Sequence, residues 1–106
     1  MNIYQDYETH KLESLRNHRK ILEKVKSIVK SLDPEARLIF FGSVLRGNFD
    51  ASSDIDLIII PSSISLKDKI KVTVLMQVDA PLEIHVITKE IFENWYLRFL
   101  DVFEDL

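Results

Sequence analysis

The segment Asp54 to Pro61 reads DIDLIIIP, and it narrows the possible folds more than any other part of the chain. A nearly continuous apolar run of this length is what an inner strand shows when other elements cover both of its faces. A side-chain period of two sends Ile55, Leu57 and Ile59 to one face and sets Asp54 and Asp56 together on the other. The fold therefore has to place two carboxylates side by side on a strand that is otherwise core.

The rest of the chain supplies what such a strand needs. Arg37 to Phe41 is β-branched and aromatic and reads as a short buried strand. Leu82 to Thr88 alternates after Pro81 and reads as a third strand. Tyr7 to Leu32 reads as one long amphipathic helix, with Leu12, Leu15, Leu22, Val25, Ile28, Val29 and Leu32 in its apolar stripe. Asp33-Pro34 stops it, because the residue before proline avoids the helical region. Ser65 to Gln77 reads as a helix opened by a capping box of Ser65 and Asp68, with Leu66, Ile70 and Val74 at helical spacing. Thr88 caps a final helix, Lys89 to Phe103, with Ile91, Phe92, Trp95, Phe99, Val102 and Phe103 along one side. The order helix, strand, loop, strand, helix, strand, helix implies an α/β fold with a small mixed sheet and helices mainly on one face.

Residues 1–106 fit one domain. A formal net charge of −3 leaves no basic field to attract a nucleic-acid polymer or an anionic membrane. The longest apolar run is far too short to span a bilayer. The chain has no cysteine, which excludes disulfides and thiolate metal sites, and its first twenty residues hold no apolar signal core. A cytoplasmic location is the expectation.

Both glycines of the chain lie in FFGSVLRGNFDASSDIDLIII, residues 40–60. Gly42 follows a strand and lets backbone turn sharply or approach a ligand closely. Ser43 is placed to cap the turn Val44-Leu45-Arg46, and Gly47 to end it in the left-handed conformation. Free N–H groups at such a turn suit phosphate. Two adjacent carboxylates repel each other unless a cation binds between them. Oxygen donors of this kind suit magnesium, which takes one or two carboxylates together with substrate phosphates. Turn and strand thus complement each other around a metal-bound nucleoside triphosphate.

The pattern G-S-x(10)-D-x-D, here GSVLRGNFDASSDIDL with Arg46-Gly47 in the spacer, resembles the signature of the DNA polymerase β-type nucleotidyltransferase superfamily. The short chain is similar to the minimal members of that superfamily, which are paired with a HEPN-domain protein. The resemblance implies that Gly42 and Ser43 bind the triphosphate of ATP and that Asp54 and Asp56 hold divalent ions, Mg²⁺ or Mn²⁺. It also implies a third carboxylate on a later strand, as metal ligand and base. Glu83 in PLEIHVI is the match, since strand phase sets it with His85 opposite Leu82, Ile84 and Val86. Asp79 is the runner-up, in a loop. Arg46 is a phosphate contact or a partner of Asp50. Ser53 caps the loop before the strand, His85 assists the site or simply neighbours Glu83, and His10 and His18 read as surface.

The implied function is magnesium-dependent transfer of a nucleoside monophosphate, AMP from ATP, onto a hydroxyl of a HEPN-type toxin, with this chain as antitoxin. The alternatives are an antitoxin acting by contact alone and an orphan transferase for a small hydroxylated acceptor. One part of the aromatic final helix, with Tyr96 as its exposed member, or the edge beside the nucleotide site is expected to dock a second protein chain; the alternative is a helix wholly in the core.

Overall fold

The structure, a computed structural model, describes residues 3–106. In chain order its elements are helix α1 (Ile3–Arg16), helix α2 (His18–Leu32), strand β1 (Arg37–Phe41), strand β2 (Ile55–Ile60), helix α3 (Lys67–Gln77), strand β3 (Leu82–Val86), the short helix α4 (Lys89–Ile91) and strand β4 (Phe103–Asp105). The strands form one sheet in the order β3-β2-β1-β4. β2 pairs parallel with β3, and β1 pairs antiparallel with both β2 and β4. The fold is therefore mixed α/β, and β2 is an inner strand, as its apolar run requires.

The two faces of the sheet are covered unequally. On one, Leu38, Phe40, Ile55, Leu57, Ile59, Ile84 and Val86 meet Leu22, Val25 and Val29 of α2 and Ile70 and Val74 of α3. This is the main core, and each side chain fully removed from water there contributes about 1.5–3 kcal/mol. The other face is smaller: Ile39, Ile58 and Ile60 lie under Phe92, with Tyr96, Leu100 and Phe103 at its margin. The carboxylate end of β2 lies beyond this second cluster, where the sheet face is open.

The expected single helix Tyr7–Leu32 is two helices. Asn17 breaks it: its backbone N–H and its side-chain amide both donate to the Glu13 carbonyl at 3.0 Å, and His18 bonds the Leu15 carbonyl at 2.7 Å. Of these, the side-chain bonds to backbone carbonyls compete with helix continuation. The break turns the His18 ring onto Phe40 at 5.6 Å between centroids, so His18 is half-buried and not a surface residue. Asp33 ends α2 as expected and is itself buried, accepting the Ser62 N–H at 2.7 Å and so tying the helix end to the end of β2.

The helix after β2 opens one turn of 3₁₀ earlier, at Ile64–Leu66, and its cap is Ser63, whose hydroxyl accepts from the Ser65 N–H. The Ser65–Asp68 capping box does not form. The last segment departs most from expectation. Thr88 caps it as expected, accepting the Ile91 N–H at 3.2 Å. After Ile91, however, the chain widens into a π-helical turn, Phe92–Tyr96, closed by the Leu97 N–H on the Phe92 carbonyl at 2.9 Å. Phe103–Asp105 then pairs with the open edge of β1. Arg37 clamps it there, bonding both carboxylate oxygens of Asp105 at 2.6 and 3.2 Å, and Arg19 bonds Glu104 at 2.6 Å. An unpaired inner-strand edge attracts backbone partners, and three residues suffice when ion pairs hold them. Among the described residues, no helix is long and apolar enough to cross a membrane.

Candidate active site

β1 delivers the chain into the turn Gly42–Gly47. Gly42 has φ +88° and Gly47 φ +75°, a region that favours glycine. The turn closes through the N–H groups of Arg46, Gly47 and Asn48, which donate to the carbonyls of Gly42, Val44 and Ser43. The N–H groups of Ser43, Val44 and Leu45 have no partner among the described residues. Nor does the Ser43 hydroxyl, so Ser43 does not cap this turn: backbone carbonyls do. What remains is a short run of free donors beside a serine, a shape that suits an anion.

Gly42 has a second reason to be glycine. A Cβ at this position would overlap the Asp56 carboxylate oxygen Oδ2 and stand 2.9 Å from its Cγ. The Asp56 side chain thus rests against the backbone of the turn. β-register supplies its other neighbour: Asp56 is the partner of Phe41 on β1 and of Glu83 on β3. The Ile55 N–H, bonded to the Pro81 carbonyl at 2.7 Å, fixes that register. Glu83 and Asp56 are close enough to share a hydrogen bond. Burial and this contact, reinforced by the charges of Glu83 and Asp54 and opposed by Arg46, push the Asp56 carboxyl up to about 6.

Asp54 stands one residue before β2, near enough for its charge to help raise the Asp56 carboxyl. Its Oδ1 lies 3.7 Å from Nζ of Lys11, a largely buried lysine of α1. Among the described residues no three acidic or histidine side chains converge as a closed metal cage. The donor set nonetheless fits a divalent ion. Asp56 and Glu83 crowd their oxygens together, burial and the neighbouring carboxylates raise the Asp56 carboxyl, and Asp54 already pairs with a cation, the Lys11 ammonium.

The remaining side chains sort themselves around this pair. His85 lies with its Nε2 3.5 Å from Glu83 Oε1, its ring between Phe41 at 6.3 Å and Tyr96 at 5.8 Å. Arg46 acts electrostatically on Asp56. It makes no ion pair with Asp50, whose carboxylate is held by the Ser52 hydroxyl and N–H and lies below the usual range. Ser53 closes the loop before β2, accepting the Asp50 N–H at 3.1 Å. Asp79 is exposed in the loop before β3 and lines a small cavity with Tyr7, His10 and Lys11 of α1. Lys11 and Tyr96 were not legible as site residues. Lys11 sits on a helix's polar face and reaches Asp54 only through tertiary packing, and Tyr96 reaches His85 only because the last helix widens.

Residues 22–104 match the family described as "Nucleotidyltransferase domain". Among solved structures the fold is similar to that of a Sulfolobus solfataricus protein described as a nucleotidyltransferase. The TM-score is 0.61 at 19% identity, covering 89% of this chain and 83% of that one. Comparison with curated protein sequences finds no significant match.

Proposed function

Because the chain belongs to the nucleotidyltransferase domain family, we propose that it transfers AMP from ATP to a hydroxyl with the help of Mg²⁺ or Mn²⁺. The observation that carries this reading is Asp56, held between the glycine of an open anion-binding turn and a second carboxylate, Glu83. The free N–H groups after Gly42, the Ser43 hydroxyl and Arg46 bind the triphosphate. Asp56 and Glu83, together with Asp54, would hold the divalent ion, which would neutralise phosphate charge and polarise the α-phosphate.

The acceptor oxygen attacks the α-phosphorus, its bond to the bridging oxygen of the β-phosphate breaks, and pyrophosphate leaves. The acceptor's proton goes to Glu83, beside which His85 is placed to share it. For the acceptor we propose a hydroxyl on a HEPN-domain protein encoded nearby, this chain acting as the antitoxin. That part rests on the resemblance of the GSVLRGNFDASSDIDL segment to the minimal members of the superfamily. A second reading, neutralisation by contact without transfer, is favoured by one observation: Lys11 already neutralises Asp54.

The test is incubation with α-labelled ATP, Mg²⁺ and the neighbouring gene product. Label should appear on that product with the native chain and not with Asp56→Asn. Tight association without label would favour the contact-only reading, and the absence of both label and association would remove the partner assignment.

A further inference from the structure

Beside the carboxylates the described residues leave a hollow. A cavity of about 500 Å³ opens between the Gly42–Arg46 turn and the segment Trp95–Val102. Trp95 and Phe99 line it and are 62% and 79% exposed, far more than large aromatic rings normally are. Tyr96 and Phe41 form its inner wall, and the same two rings flank His85, which contacts Glu83. Among the described residues, Asp101 is the one carboxylate in the lining and Arg46 the one cation. The wall exists because the chain widens into a π-helical turn at Phe92–Tyr96 instead of continuing as an α-helix. Such turns occur frequently at functional sites.

We infer that this cavity is the nucleoside subsite, in which a nucleobase stacks against Trp95 and Phe99 while its phosphates reach the turn past Arg46. The inference rests on the nucleotidyl-transfer reading and adds to it where the base goes. Three observations carry it. The cavity shares Gly42 and Arg46 with the turn, so it adjoins the backbone whose N–H groups are free. Its volume lies within the range of small-molecule sites and suits a base and ribose. Its surface offers exposed aromatic faces, on which bases stack, and one carboxylate, Asp101, able to accept from a ribose hydroxyl or an exocyclic amine.

Trp95 is the only tryptophan, so its emission reports on this cavity alone. The probes are MgATP and magnesium tripolyphosphate, which share the phosphate chemistry and differ in the nucleoside. MgATP should shift and quench Trp95 emission, whereas tripolyphosphate should bind by calorimetry and leave that emission unchanged. Phe99→Ala, at an exposed position where the core is untouched, should weaken MgATP about tenfold and leave tripolyphosphate binding as it was. Tripolyphosphate binding as tightly as MgATP, with Trp95 silent to both, overturns the subsite and leaves the phosphate turn standing. The subsite is equally overturned if Phe99→Ala binds MgATP as the native chain does. Binding of neither probe overturns both the subsite and the reading beneath it.

Discussion

The Asp56 carboxyl of β2 rests on the Cα of Gly42, in the space a methyl group would need. The Gly42–Gly47 turn and the acidic strand are therefore packed directly against each other. Gly42→Ala should be damaging twice over, through a backbone at φ +88° and through displacement of Asp56. The backbone strain alone costs about 1–3 kcal/mol. A shift of about 1 Å at a reacting group lowers turnover on the order of 100-fold. Gly47→Ala carries similar strain at φ +75° but has nothing within 4 Å of the new methyl. It should lose stability comparably and keep Mg²⁺ binding. Denaturation midpoints and metal titrations on the two variants test the difference.

Acidity should act on folding through Asp56. Its carboxyl titrates near 6 when folded, above the ordinary aspartate value it has when unfolded, so between those two values the folded state holds more proton. Stability contributed by that proton is present at low pH and lost as pH rises through about 6. The side chain is partly exposed, so after solvent screening the loss amounts to about 1 kcal/mol. The difference in melting temperature between the native chain and Asp56→Asn should widen in favour of the variant from pH 5 to pH 7.5. Adding Mg²⁺ at pH 7.5 should narrow it, because the ion replaces the proton as counter-charge. A difference that does not change with pH would sink this account of the site.

Lys11 competes with any cation for Asp54. The ion pair is 3.7 Å long and joins α1 to the residue before β2. Lys11→Met removes the competitor and keeps the apolar stem that packs there. The expected result is a loss of less than about 1 kcal/mol in stability, since Asp54 is well exposed to solvent, together with tighter Mg²⁺ binding. Calorimetric titration of both chains decides it. Unchanged Mg²⁺ affinity would mean that Asp54 takes no part in holding the ion.

The parts of this fold that were legible in the sequence are those set by local pattern. DIDLIIIP gave its own burial away because no partly exposed strand carries such a run, and strand phase brought Glu83 to the face of Asp56, where register places it. Gly42 and Gly47 were legible because left-handed turns leave few other choices. What was not legible depends on distant partners. Phe103 fits the apolar stripe of a helix, and only the open edge of β1 and the Arg37–Asp105 pair make it a strand. Tyr96 was expected to be the exposed ring, but it lies inward against His85 while Trp95 and Phe99 face outward. The pairing of Lys11 with Asp54 left no trace in spacing, since it arises from the packing of a helix onto a loop.

The third carboxylate can be decided by comparing two single changes. Glu83 is the register partner of Asp56 and touches His85, whereas Asp79 lines a different cavity with α1. A general base typically contributes about 10²–10⁴-fold to the rate. Glu83→Gln keeps the shape and removes the charge, so transfer should fall by at least about 100-fold on that basis, with the melting temperature steady or raised as one of two crowded carboxylates is neutralised. Asp79→Asn should transfer at close to the native rate. Glu83→Asp separates the roles further. It withdraws the carboxylate by one methylene but keeps its charge and its place on β3, so activity should exceed that of Glu83→Gln. Initial rates of pyrophosphate release in saturating MgATP give all three values. If Asp79→Asn proves the damaging change, the loop and not β3 supplies the third oxygen; if all three variants turn over normally, neither residue completes the site.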